Sequence, residues 1–247
     1  IGIHNIVVAP NKIPVIIGDK VKTDRRDSLK LATLLSKGML NGINTPPQNQ
    51  INNRQFLRTR EQLTRDRRRT ILQIKSLLIQ YGISPSQPGM NKKAVAEIRS
   101  SILPGSIKSI LESYFHLLEC LNIQIKKLEQ EAISSITKEE DRERFNIIYS
   151  TPGIGKLSAA ILVHEIGDWL RFQNEKQIAA YFGLTPSEYS SGDQIRRGRI
   201  TGQGRDGLRA LLIEASWTLI KKDDAMRKTF ERIATQTKGK KKAIVAV

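Results

Sequence analysis

The sequence is poor in features that would define several common protein classes. Its single cysteine, Cys120, excludes an internal disulfide framework, and three scattered histidines with that one thiol give no zinc-ligand spacing. Apolar runs are short: stretches such as 159–163 fall far below the roughly 20 residues a membrane helix needs, so no span and no membrane partner is expected. No charged-then-apolar segment opens the chain, and a reducing cytoplasm is the expected setting. Acidic residues are scarce too. Against 24 Asp and Glu stand 41 Lys and Arg, giving a formal charge of +17 and a pI near 10.1. That balance is the electrostatic footprint of a protein that binds polyanions, and nucleic acid is the first partner it suggests. An anionic membrane is the weaker choice, because no helix pairs a basic face with a strong Trp, Phe or Leu face.

The 247 residues, 39% of them hydrophobic, suffice for one large domain or two small ones. The chain starts at Ile1 without a methionine and stops in "KKAIVAV", which reads as the first turns of a helix. A fragment cut at both ends is expected.

Three regions follow from the pattern. In the first, "HNIVVAP" (His4 to Pro10) is a β-branched apolar run closed by proline and predicts a buried strand. "KTDRRDSLKLATLLSKG" predicts a helix with Thr23 as N-cap and an apolar face of Leu29, Leu31, Ala32, Leu34 and Leu35, ending at Gly38. "TPPQNQ" then breaks the chain. The second region holds two long helical patterns, one reaching Tyr81 and one from about Ile107 to Ile136, separated by a loop over about Gly82 to Asn91. A helical hairpin or coiled coil is expected. The first long helix carries Arg54, Arg58, Arg60, Arg65, Arg67, Arg68 and Arg69, with only Glu61 and Asp66 nearby to balance them. That row is a solvated face or, at least as well, a phosphate-contacting one. The third region begins near Phe145, where "YSTPGIGKLSAAILVHEIGD" places a Gly-Ile-Gly turn between two helical stretches.

Three motifs could carry chemistry. Gly153 and Gly155, with Lys156 after them, fit a helix-hairpin-helix that offers bare N–H groups to a DNA phosphate, or a tight turn that only packs. Asp24 and Asp27 lie three apart on one helix face and could share a hard cation, although acids in a first helical turn ordinarily just complement the dipole. In "YSSGDQIRRGRITGQG", Ser191 stands directly before Gly192, with Arg196, Arg197, Arg199 and Arg205 close by along the chain. Residue types alone favour a phosphate-binding loop over a nucleophile, since no general base is evident and His164 reads as structural. Cys120, Trp169 and Trp217 read as core.

Taken in order, "KTDRRDSLKLA", "TPGIGKLSAAILVHEIGDWLRF", "AAYFGLTPSEYSSG" and "GRITGQGRDGLRALLIEA" resemble the bacterial transposases of insertion-sequence family 110, including its 1111 branch and related DNA invertases. The resemblance covers nearly the whole chain and is most specific from about Ile148 to Ala215. It implies an α/β remnant of a RuvC-like, RNase H-fold domain (1–45), a long-helix or coiled-coil region (46–144) and a transposase domain with a catalytic serine (145–247). It also implies that Asp24 and Asp27 are the last two acids of an Asp-Glu-Asp-Asp set holding Mg2+, and that Ser191 rather than Ser190 is the nucleophile. DNA substrates, RNA-guided choice of sites and a dimer or tetramer are implied as well. The first Asp and the Glu of the set are expected upstream of Ile1, which would leave this chain inactive alone. Gly202 and Arg205 depart from the family, where lysine and asparagine are more usual; Arg205 is expected to replace the lost phosphate contact. Together the sequence proposes Gly153, Gly155, Lys156, Arg58, Arg65, Arg68, Arg196, Arg197, Arg199 and Arg205 as nucleic-acid contacts.

Overall fold

Thr23 starts the first helix as its sequence predicts, its side-chain oxygen accepting the Arg26 N–H at 3.3 Å. Helix α1 then runs Asp24–Ser36 in the computed structural model, which describes residues 5–14, 23–84, 89–191, 194, 196–237 and 239–247. The chain folds as two units, Ile1–Gln48 and Asn49–Val247.

In the first unit α1 buries none of its residues; Leu29 and Leu35 are more than half exposed. The expected strand is absent from residues 5–9, and His4 lies outside the described residues. Among the described residues, what forms instead is a single backbone bond, from the Ile43 N–H to the Val7 carbonyl at 2.7 Å, followed by a 3-10 turn at Pro10–Lys12. A β-branched run becomes a strand only when a neighbouring ladder takes its backbone groups, and one bond is no ladder. The α/β expectation is therefore corrected for the described residues of this unit: they hold helix and turn, and no strand.

The second unit is helical apart from one hairpin. Helices α2 (Gln48–Ile79) and α4 (Gly105–Ser134) run antiparallel. Arg60 pairs with Glu129 at 2.6 Å, and about two helical turns along, the Arg67 Nε donates to the Asn122 side chain at 2.6 Å. Between them Ile74 and Leu78 of α2 meet Leu111, Phe115 and Leu118 of α4. Helix α3 (Lys92–Ser100) closes this core with Ile98; its N-cap Asn91 accepts the Ala94 N–H at 2.9 Å. Cys120 is exposed, a correction to its reading as core. It lies off the buried stripe of Leu111, Phe115, Leu118 and Leu121.

Helix α5 (Glu139–Ser150) turns into α6 (Lys156–Ile166), whose residues from Leu162 to Ile166 are all buried. Leu162 and Ile166 join Phe182 and Leu208 in a second core, which also receives Trp169. After α7 (Glu175–Tyr181) come the antiparallel strands β1 (Pro186–Glu188) and β2 (Arg197–Ile200). Helices α8 (Asp206–Lys222), α9 (Asp224–Thr237) and α10 (Lys240–Ala246) follow, packed around Ile220, Phe230, Ala243 and Ile244. Trp217 meets Phe230 edge to face but remains 36% exposed, so it borders this core rather than filling it.

Candidate nucleic-acid interface and serine hairpin

Strands β1 and β2 carry the serine loop away from the body of the unit, and every described residue of the tip from Glu188 to Ile200 is exposed. The Tyr189 N–H donates to the Arg196 carbonyl at 2.9 Å, and Ser191 and Gln194 exchange both backbone bonds at 3.3 Å. Between these two rungs the Ser190 hydroxyl supplies a third. It donates to the Glu188 carboxylate at 2.8 Å and accepts the Arg196 N–H at 3.2 Å. The Ser191 hydroxyl has no hydrogen-bond partner among the described residues. Gly192 lies outside them. Arg196 reaches back to the Gln194 side chain at 2.9 Å, Arg197 pairs with Glu188 at 3.6 Å, and Arg199 has no ion pair among the described residues. Gly202 sits at φ 64°, in the left-handed region, where the lysine of the family pattern would be strained.

The Gly-Ile-Gly turn joins α5 to α6. Gly153, at φ 97°, is pressed onto α8: a Cβ there would stand 2.5 Å from the Ala215 carbonyl oxygen and 3.0 Å from the Thr218 Cβ. Packing alone thus explains this glycine. Gly155 faces open space; it is the N-cap of α6 and brings no side-chain acceptor to the first-turn amides. Lys156 is exposed beside it. A cleft of about 480 Å³ adjoins the turn, lined by Gly153, Ser158, Glu61, Arg205 and Glu214 among others.

The arginine row of α2 is largely engaged within the fold. Glu165, 3% exposed on α6, is the centre of that engagement. Its carboxylate faces Arg54 at 3.7 Å, Arg58 at 3.5 Å and Arg205, and Arg205 also pairs with Glu61. Arg205, expected from the sequence as a phosphate contact, has its guanidinium bridging two carboxylates. Arg65 pairs with Glu61 at 2.6 Å but stays two-thirds exposed, and Arg58 stays half exposed. Arg68 is exposed with no ion pair among the described residues. The carbonyl groups ending α6 are taken by α2 as well: Gln50 and Arg54 donate to the His164 carbonyl at 3.0 and 3.1 Å. His164 is buried, and its Nε2 donates to the Ala132 carbonyl at 2.8 Å with Ser135 Oγ 3.0 Å away. Burial pushes its pKa below the ordinary histidine value, partly opposed by the Ala132 bond. The structural reading of this histidine agrees with its place.

Asp24 and Asp27 occupy the first turn of α1 in the first unit, and Asp24 is exposed. Their carboxylate chemistry suits a hard divalent cation. Among the described residues, however, no third His, Cys, Asp or Glu joins them to complete a ligand set.

Glu165 and Glu188 are the residues that the sequence reading missed. A lone glutamate inside the apolar stretch "AAILVHEIGD" was the available signal for Glu165, since a buried carboxylate requires a cation. Glu188 gave no such signal.

Comparison with known proteins identifies both ends of the chain as transposase domains. Residues 6–83 match the transposase domain of the DEDD, IS110 type, and residues 146–231 match the domain described as transposase, IS116/IS110/IS902 family. The chain belongs to the IS110/IS116/IS902 transposases. It is 25% identical over 227 residues to the transposase for insertion sequence element IS1111A of Coxiella burnetii, covering 89% of this chain and 60% of that one. Similarity to the transposase-type protein y4qE of Sinorhizobium fredii is 28% over 219 residues, or 88% and 53% of the two chains. A pilin gene-inverting protein of Moraxella bovis is 34% identical over 110 residues, 44% of this chain and 34% of that protein. The chain spans between about half and two thirds of the length of the first of these curated relatives.

Proposed function

We propose that this chain is part of an insertion-sequence transposase that cuts and rejoins DNA through Ser191. The observation that carries the reading is the division of labour between the two serines. Ser190 has both hydroxyl roles engaged in the hairpin, whereas Ser191 is exposed at the two-strand tip, its hydroxyl without a partner among the described residues, with Arg196, Arg197 and Arg199 on the returning side. In the reaction, Ser191 Oγ attacks phosphorus as its proton is lost. The phosphodiester bond breaks, and the leaving oxygen takes up a proton to become a free hydroxyl, leaving a phosphoserine. Attack by a hydroxyl of another strand reverses these steps and restores the serine. The arginines favour the added negative charge on the phosphorane.

Asp24 and Asp27, with further acidic ligands, would hold Mg2+, which supplies charge stabilisation at the phosphate when bound. Gly155 and Lys156, at the uncapped start of α6, suit a backbone phosphate in the manner of a helix-hairpin-helix. Arg58, Arg65 and Arg68 offer outward charge along α2. A guide RNA, and a dimer or tetramer in which one subunit's acids meet another's serine, complete the proposal by family resemblance. Similarity to the pilin gene-inverting protein favours site-specific inversion as a second reading with the same chemistry.

The test uses the full-length protein with Mg2+, guide RNA and both DNA sites. Wild type forms a protein–DNA adduct that maps to Ser191, and Ser191→Ala forms none. Undiminished strand exchange by Ser191→Ala would overturn the serine mechanism.

A further inference from the structure

We infer that the outer side of α9 and α10, with the last turn of α8, is a second surface for nucleic acid, gripping the phosphate backbone without reading bases. The inference rests on the nucleic-acid part of the function proposed above and not on its serine chemistry. Two segments of this chain look equally basic in sequence, and the fold treats them oppositely. Along α2 most arginines meet acidic or amide partners contributed by α2 itself, α4 and α6. Along α9 and α10 the cations Lys228, Arg232, Lys240, Lys241 and Lys242 are all exposed, and none of their side chains has an ion pair or hydrogen bond among the described residues. Lys221 and Lys222, which end α8, are exposed in the same condition.

The nearby acids do not neutralise them. Asp224 pairs with Arg227 at 2.6 Å, and the Asp223 carboxylate accepts the Met226 N–H at 3.0 Å. Glu231 is the remaining acid of α9. The cations are also held in place. Phe230, Ile233 and Ala234 of α9 turn inward onto Ala243 and Ile244 of α10, which leaves Lys228 and Arg232, one turn apart, on the outward side. Helix α10 begins against the end of α9, where the Gly239 N–H donates to the Ala234 carbonyl at 3.2 Å. Its three lysines therefore follow Arg232 on one rigid scaffold. Such a predominantly basic surface repels itself until a polyanion offsets it.

A membrane surface fits less well, because among the described residues that follow Trp217 in the chain no large apolar side chain is exposed to enter a bilayer. Lysine-rich, unclamped charge suits a backbone phosphate rather than a base edge, which is read by planar, oriented groups. The match to the transposase domain ends at residue 231, so most of this surface lies outside it.

The experiment compares the whole chain with its K228Q/R232Q/K240Q/K241Q/K242Q variant, binding a random-sequence DNA duplex and an unrelated RNA hairpin over a salt series. Unchanged helix content by circular dichroism confirms that the buried side of α9 and α10 persists. The expected result is at least about a tenfold loss of affinity at roughly 0.1 M salt, with the log–log salt slope shallower by about 2 to 4, alike for different sequences. A K240R/K241R/K242R variant should bind as wild type does. Wild-type affinity and slope in the glutamine variant would overturn the inference, as would a wild-type chain that binds neither nucleic acid, or losses confined to anionic vesicles. Adduct formation by Ser191 is a separate readout: a failed Ser191→Ala test leaves this inference standing, and a failed binding test leaves Ser191 standing.

Discussion

One guanidinium, that of Arg205, stands between the carboxylates of Glu61 on α2 and Glu165 on α6. It does so where the chain leaves β2 and enters α8, so the ion pairs fix the exit of the serine hairpin to the two helices beneath it. Removing the shared acid leaves three arginines facing one another around a buried site. Glu165→Ala is expected to cost about 3 kcal/mol, and Arg205→Met about 1 to 2 kcal/mol, because the buried Glu165 keeps Arg54 and Arg58 as partners when Arg205 is lost. Denaturant unfolding of the chain measures both.

The two glycines of the turn before α6 should separate by substitution. Gly153→Ala forces a side chain into left-handed backbone and into the Ala215 carbonyl, and should destabilise by about 2 kcal/mol or more. Gly155→Ala meets open space at φ −85° and should melt as wild type does. Any loss of DNA affinity in Gly155→Ala then reports a phosphate contact, whereas a loss in Gly153→Ala reports misfolding.

His164 makes stability depend on pH. Its folded pKa lies below its unfolded value, ordinarily near 6.5, so the unfolded chain binds the proton first on acidification. The stability it contributes is full above about pH 6.5 and is lost as pH falls from there toward the folded pKa. Unfolding midpoints of wild type and His164→Gln, followed from about pH 7.5 to 5, should converge as the pH drops; parallel curves would argue against a neutral buried imidazole.

Ser190 and Ser191 should fail differently. Ser190→Ala removes the rung to the Arg196 N–H and should speed hydrogen exchange of that amide about fivefold, consistent with roughly 1 kcal/mol for a hydrogen bond. Ser190→Thr keeps the hydroxyl and the protection. Ser191→Ala should leave the amide protected while abolishing the adduct.

The helices were legible wherever their own residues decided them. Thr23 as a cap, the long patterns ending near Tyr81 and Ile136, and the Gly-Ile-Gly turn all rest on local periodicity and capping, which sequence displays directly. Helix α3 escaped because nine residues give too few turns for a face to repeat. The strand expected over the described residues 5–9 is absent for a different reason: strandedness is a property of a pair, and Val7 has one backbone bond to Ile43 among the described residues. The partners of the α2 arginine row are not displayed by its neighbours along the chain. Its balance comes from Glu129 and Glu165, some 70 to 110 residues further on. Ser190 and Ser191 could not be told apart by type, and only the position of the Arg196 N–H separates them.

The cluster around Glu165 also bears on how this chain can change over generations. Three arginines from two distant stretches converge on that one acid, so no single reciprocal exchange can repair its loss. A change at 54, 58, 165 or 205 is therefore felt by the other three positions. The lysines of α10, whose side chains have no partner among the described residues, can each be exchanged without disturbing such a set.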